Sequence, residues 1–254
     1  MRVALNLLFF AALIYVSLCA LLYFAQRSLL YFPTPAVSLP GATPVALTTE
    51  GATLRLWTRP TDGDDALIYF GGNAEDVAAS FEDFAAALPR HALYFVNYRS
   101  YGGSTGTPSE EALFADALAV YDHVQARHPN IAVAGRSLGS GVAAYLASKR
   151  KVQRLVLVTP YDSIVNVARK RFPVFPVSLI LTDKFDSASR VPDISAPTLA
   201  IVAERDEVIP RRNSDALIAR FPKIRITVEV IPGATHNELG PTYPALISRF
   251  CNTN

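Results

Sequence analysis

The chain has 254 residues, half of them hydrophobic, and its 24 Lys+Arg against 22 Asp+Glu leave a formal charge of +2. That balance excludes the concentrated basic face of a nucleic-acid binder, and 18% charged with 10% aromatic residues excludes a disordered or collagen-like chain. Cys19 and Cys251 together supply neither a disulfide framework nor a zinc site. Cys251 stands where a prenylated cysteine would, but Asn252 and Thr253 are not aliphatic, so it reads as a plain thiol. One globular domain of ordinary size is expected.

From Val3 to Ala25 there is no charge, and only Asn6 and Ser17 are strongly polar. As a helix rising about 1.5 Å per residue, this run is about 35 Å long and crosses a hydrocarbon layer of roughly 30 Å with some tilt. A cleaved signal peptide has a shorter apolar region and a small-x-small site, whereas Tyr23-Phe24-Ala25 begins with a bulky residue. Lipoprotein processing at Cys19 fits no better, because Leu18 is large where a small residue belongs. The expectation is an uncleaved single-pass membrane anchor over residues 1–27. Arg2 and the α-amine on one side face Arg27 on the other, which favours a cytoplasmic amino terminus and an exported domain. Residues 28–44 contain Pro33, Pro35, Pro40 and Pro44 and read as an extended, proline-rich tether to a folded domain at 45–254.

Within that domain, short apolar runs alternate with helical patterns: Ala52 to Thr58, Ala66 to Phe70, Ala92 to Tyr98, Ile131 to Ala134, Leu155 to Thr159, Thr198 to Ala203 and Thr227 to Ile231. Such alternation predicts an α/β protein, a mostly parallel central sheet with helices on both faces. One helix announces its start, with Thr107 as cap, Pro108 at the first position and Glu110 completing a capping box; Leu113, Ala117, Val120 and Val124 are its buried stripe. Ligands in such sheets bind outside the carboxyl ends of the strands, where Gly71-Gly72-Asn73, Arg99 to Gly103 and Gly135 to Gly139 gather on one rim.

Ile131 to Ala134 runs into Gly135-Arg136-Ser137-Leu138-Gly139 and then into the helical Val142 to Ala147. Strand, G-x-S-x-G and helix in that order describe a nucleophile elbow, in which a strained serine is flanked by glycines because any side chain there would strike the neighbouring strand or helix. The bland alternative is a glycine-rich turn whose serine only caps the following helix. A serine hydroxyl needs a base, and the base needs a carboxylate to orient it. His91 lies on the opposite rim and His123 and His128 at the far end of a helix, so all three read as surface residues, whereas His236 follows the last strand across Pro232 to Thr235. Asp206 stands just beyond the strand Thr198 to Ala203, with Glu204 and Glu207 as rivals by residue type.

The run Asn97 to Glu110, the elbow, the turn Asp206-Glu207-Val208-Ile209-Pro210 and the segment Gly233-Ala234-Thr235-His236-Asn237 together resemble the α/β-hydrolase-domain serine hydrolases, in particular their single-pass membrane-anchored, serine aminopeptidase-like branch. The resemblance extends over nearly the whole chain. It implies the α/β-hydrolase fold, with Ser137, Asp206 and His236 as nucleophile, acid and base, and backbone N–H groups of Asn73 and Leu138 as oxyanion donors. Two positions depart from the family pattern: Gly71 replaces the histidine of H-G-N-A, which widens the backbone freedom of that loop, and Ser100 replaces a glycine. Glu75 and Asp76 fit the amino terminus of a helix.

Residues 160–197 are the expected place of a small cap. Phe172 to Val177 and Leu179 to Leu181 are candidates for an acyl pocket, with simple packing on the body as the alternative, and Arg169, Lys170 and Arg171 are a solvated face or a contact for anionic headgroups. No His/Cys/Asp cluster has ligand spacing and no G-x-G-x-x-G turn follows a strand, so neither metal nor cofactor is expected. The expected activity is hydrolysis of a carboxylic ester, thioester or lipid-like acyl substrate through an acyl-enzyme. A peptidase or amidase with the same triad and a catalytically idle membrane-tethered scaffold are the alternatives. The sequence leaves oligomeric state undetermined.

Overall fold

The computed structural model describes residues 1–240 and 242–253. The charge-free run near the amino end forms a single helix, α1 (Arg2–Leu30), which continues beyond Arg27. It is long and apolar enough to cross a membrane. Its end does not hang free. Gln26 is buried, donating from Nε2 to the Ile180 carbonyl at 3.1 Å and accepting at Oε1 from the Thr182 amide at 2.7 Å.

The segment expected as a tether over residues 28–44 is helical to Leu30 and joins the first strand at Thr43, and the stretch between is bound along its length rather than loose. The Tyr31 hydroxyl donates to the buried Asp183 carboxylate at 2.8 Å, the Gly102 amide donates to the Thr34 carbonyl at 3.0 Å, and Val37, Leu39 and Ala42 pack against the core. Composition predicts stiffness here, while docking depends on partners supplied by distant segments.

The sheet begins two residues before the expected boundary and has an edge strand that the apolar-run reading passed over. That strand, β1 (Thr43–Thr49), pairs antiparallel with β2 (Ala52–Arg59) across a turn at Gly51, where φ is +74°. Its exposed alternate positions dilute the apolar signal. Then follow β3 (Asp65–Phe70), α2 (Phe81–Ala87), β4 (Ala92–Val96), α3 (Glu110–Gln125), β5 (Asn130–Arg136) and α4 (Leu138–Lys149). After β6 (Arg154–Val158) come the cap helices α5 (Ile164–Arg171) and α6 (Val177–Ile180) and a 3-10 turn at Ala188–Asp193, then β7 (Thr198–Ala203), α7 (Arg211–Ile218), β8 (Ile226–Ile231) and α8 (Thr242–Cys251). The sheet order is β1-β2-β4-β3-β5-β6-β7-β8, with β2 antiparallel to both its neighbours and every pair from β4 to β8 parallel.

Strand residues alternate between two cores, as a pleat requires. Ile68, Phe70, Val133 and Leu157 meet Val120 of α3 and Val142 of α4 on one face. Leu67, Tyr69, Ala132 and Val156 meet Phe84 of α2 and Ile247 of α8 on the other. Burial on both faces explains why these strands read as continuous apolar runs. The predicted stripe of α3 is buried, but the helix starts two residues later than its sequence suggests. Ser109, not Thr107, is the cap, accepting the Ala112 amide at 3.1 Å, and Glu110 reaches away to accept the Lys184 and Phe185 amides of the cap segment.

Arg99 closes the frame. Its guanidinium makes a two-pronged contact with Asp116 of α3 at 2.8 and 2.9 Å and donates to the Glu50 carbonyl at 2.7 Å. Ser100, where the family pattern has glycine, keeps the left-handed backbone at φ +67°, and its hydroxyl holds the Gly106 carbonyl at 2.6 Å. His91 and His128 are buried, not surface residues: His128 Nδ1 lies 2.8 Å from the Gly63 carbonyl and Nε2 3.2 Å from the Tyr94 hydroxyl.

Candidate active site

Ser137 leaves β5 at φ +50° and ψ −117°, a conformation outside the favourable regions for an L-residue, and α4 begins immediately after it. The flanking glycines have steric causes. A Cβ on Gly135 would strike the Gly139 carbonyl, and one on Gly139 would strike the carbonyl of Phe70. The two glycines thus let β5, the start of α4 and the end of β3 pack closely around the serine.

Beyond the carboxyl end of β8, the chain turns through Gly233 at φ +71° and brings His236 to the same rim, where it is buried. His236 Nε2 lies 2.9 Å from Ser137 Oγ, and Nδ1 lies 2.8 and 3.0 Å from the two carboxylate oxygens of Asp206. An ionised carboxylate accepts only, so Nδ1 carries the proton and Nε2 presents its lone pair to the serine hydroxyl. Asp206 Oδ1 also accepts the amides of Val208 and Ile209 at 2.9 and 2.7 Å, which fixes the carboxylate in its turn. The rivals sit elsewhere. Glu204 accepts the Gly233 amide at 2.7 Å and Glu207 the His236 amide at 3.2 Å, so both hold the backbone of the histidine turn and neither meets the imidazole.

On the opposite side of Ser137 runs the loop Gly71 to Ala74. A Cβ on Gly72 would lie 3.5 Å from that of Ser137, so this backbone passes directly beside the hydroxyl. The Asn73 and Leu138 amides donate to no acceptor among the described residues, and Leu138 is the first residue of α4, at the positive end of its dipole.

Several residues that hold this loop carried no signal for that role in the sequence. Tyr98 donates to the Gly71 carbonyl at 2.7 Å and Tyr101 to the Asn73 side-chain oxygen at 2.7 Å. Glu75 accepts the Gly72 amide at 2.6 Å and the Tyr69 hydroxyl at 2.7 Å, and pairs with Arg136 at 3.1 Å. Arg136 in turn donates to the His236 carbonyl at 3.1 Å, which links both sides of the site. Burial opposes the Arg136 cation, yet the Glu75 carboxylate beside it raises its pKa above the ordinary value. Glu75 is thus not the helix-terminal acid expected; Asp76 alone plays that part, accepting the Ala78 amide at 3.1 Å. The loop is also not loosened by Gly71, because both its ends are bonded.

Among the described residues no group of acidic, histidine and cysteine side chains is arranged to hold a metal ion.

Residues 77–234 match the serine hydrolase (FSH1) family. An uncharacterised protein of Mycobacterium tuberculosis (strain H37Rv) is 34% identical over 218 residues, covering 81% of this chain and 77% of its own length. Protein bem46 of Schizosaccharomyces pombe is 28% identical over 216 residues, covering 79% and 72%. Among solved structures, an esterase of Pyrococcus furiosus, Pf2001, superposes with a TM-score of 0.68 at 19% identity, covering 87% of this chain and 96% of that one, which shows the α/β-hydrolase fold.

Proposed function

The chain belongs to the serine hydrolase (FSH1) family, and from that premise we propose that it cleaves carboxylic esters or thioesters through an acyl-enzyme on Ser137, at a membrane that α1 spans. The observation that carries the reading is the 2.9 Å approach of His236 Nε2 to Ser137 Oγ, with Asp206 behind the imidazole.

In the first step His236 Nε2 takes the Ser137 proton as Oγ attacks the acyl carbon. Asp206 keeps Nδ1 protonated and stabilises the imidazolium. Negative charge gathers on the former carbonyl oxygen, between the amides of Asn73 and Leu138 and at the amino end of α4. The tetrahedral species collapses as His236 returns its proton to the leaving alcohol or thiol. Water then attacks the acyl-enzyme with His236 again as base, releasing the acid and restoring Ser137. Arg136 and Glu75 serve by position, keeping the histidine turn and the oxyanion loop at a fixed separation.

The family, the bonded serine and the two unoccupied amides support turnover over an idle scaffold. The test is labelling by a fluorophosphonate probe followed by turnover of p-nitrophenyl butyrate. Wild type reacts and turns over, while Ser137→Ala folds but does neither; equal labelling of the alanine variant sinks the assignment. Arg2 and the α-amine facing Arg27 support an exported domain. A carboxyl-terminal alkaline phosphatase fusion is then active, and an inactive, stable fusion reverses the topology.

A further inference from the structure

An apolar cavity of about 550 Å³, its open mouth included, lies between the end of α1 and the cap, walled by Leu22, Leu29 and Leu30 on one side and by Ala168, Phe175 and Ile180 on the other. Ser137 and His236 do not line it. Leu30, however, belongs both to the cavity wall and to the active-site frame, because its carbonyl accepts the Asn73 side-chain amide at 2.6 Å. The cavity and the loop beside Ser137 thus share one residue, Leu30.

The cap has an environment set by α1. The Tyr15 hydroxyl donates to the Val174 carbonyl at 2.9 Å and its ring stacks on Phe175 at 5.9 Å between centroids. Tyr15 is only about 18 Å along the helix from Val3, at about 1.5 Å per residue, whereas the hydrocarbon layer is about 30 Å thick. A spanning α1 thus carries the α5–α6 connection into the hydrocarbon. Val174 and Leu179 are 70% and 81% exposed, which is costly in water and favourable among acyl chains. The exposed Arg169, Lys170 and Arg171 come immediately before this apolar stretch, suited to the headgroup level.

We propose that the cavity between α1 and the cap holds the hydrocarbon chain of an acyl substrate that enters sideways from the bilayer, with the acyl carbonyl at Asn73 and Ser137. This rests on the acyl-enzyme reading above, and it makes α1 a wall of the substrate site.

The full chain in one detergent is compared with Ala168→Trp and Ile180→Trp on p-nitrophenyl butyrate and decanoate. Partitioning of each ester into micelles is common to all three proteins, so ratios between proteins isolate the cavity. Each methylene removed from an apolar site costs about fourfold, so both variants are expected to lose at least tenfold in kcat/KM on decanoate while staying within about twofold on butyrate. A second measurement needs no turnover: a palmitate analogue with a terminal diazirine is photolysed with Ser137→Ala in phosphatidylcholine nanodiscs. Adducts are expected on the buried Val177 of the cavity wall and to fall about tenfold with Ala168→Trp. Unchanged decanoate turnover in both tryptophan variants, equal loss on both esters, or no Val177 adduct overturns the proposal. Adducts at Val177 from a wild type that hydrolyses neither ester leave the chain site standing and overturn the hydrolase reading instead.

Discussion

Asn73 donates its side-chain N–H to the Leu30 carbonyl at 2.6 Å, while its side-chain oxygen accepts the Phe32 amide at 2.9 Å and the Tyr101 hydroxyl at 2.7 Å. One side chain thus pins the loop beside Ser137 to the last turn of α1. Oxyanion donors act by position, and a displacement of about 1 Å costs about a hundredfold in rate.

Asn73→Ala is accordingly expected to lower kcat about tenfold to a hundredfold on a short soluble ester, even though the backbone amide it leaves behind is chemically unchanged. Deleting residues 1–30 removes the same anchor and is expected to lose activity to a similar extent in well-folded protein. Combining the two changes costs less than the sum of the single losses, because the Leu30–Asn73 bond is lost in both. A truncated form with full activity on p-nitrophenyl butyrate, its folding checked by circular dichroism, reduces α1 to a membrane anchor alone.

The carboxylates of the β7 turn separate by what they touch. Asp206→Asn removes the charge that orients and stabilises His236, a loss of about 10⁴ in turnover. Glu207→Gln retains an acceptor for the His236 amide, now neutral, and is expected to cost less than about tenfold; Glu204→Gln, one turn further out at Gly233, changes less still. If Glu207→Gln were as damaging as Asp206→Asn, the orienting role would not be confined to Asp206.

What the sequence made legible was whatever short-range sterics impose. The glycines around Ser137 must be glycines because of atoms next to them, and the apolar runs of β3 to β7 must be apolar because both faces are covered. Asp206 and His236 were legible as neighbours because chain order and strand ends put them on one rim, where they lie 2.8 Å apart. The Glu75–Arg136 pair, the Tyr98 and Tyr101 hydroxyls and the Leu30–Asn73 bond were not legible, since each joins segments that only the folded topology makes neighbours. Thr107 illustrates the same limit at short range: the capping box was present in residue types, but Glu110 found better partners in the amides of Lys184 and Phe185. That contact fastens the cap to α3, and partial burial raises the pKa of the half-buried carboxyl.

Cys251, which the sequence offered only as a plain thiol, is 7% exposed on α8, and burial pushes its pKa from 9.0 up to about 12. The folded state therefore prefers the protonated thiol. Its contribution to stability is fully present below about pH 9 and is lost as pH rises toward about 12, because the unfolded chain releases the proton first. Urea unfolding of wild type and Cys251→Ala should converge as pH rises from about 8 to 11. Parallel curves in that interval leave the thiol without linkage to folding. At neutral pH iodoacetamide is expected to leave Cys251 unmodified until the chain is unfolded.

Gly71 departs from the family pattern, and its surroundings define what a side chain there meets. Its φ lies outside the left-handed region, so no left-handed backbone opposes alanine; the main obstacle is Val77, whose Cγ1 lies 2.6 Å from the place an alanine methyl would take, with the Glu75 carboxyl carbon next at 3.3 Å. Val77 is buried in the α2 face of the core and cannot swing into solvent. Gly71→Ala is therefore expected to cost about 1–3 kcal/mol by overpacking and to lower kcat as the loop shifts away from Ser137. Val77→Ala alone leaves a gap and costs about 1–3 kcal/mol of its own. In the double variant the new methyl occupies that gap, so the sum of the single losses overshoots the observed one by about 1 kcal/mol or more, measured by denaturant unfolding. The same pairing should recover part of the lost turnover. Strict additivity in both readouts rules out contact between positions 71 and 77 as the reason for glycine, and points to the bond from Tyr98 to the Gly71 carbonyl as the constraint on the loop.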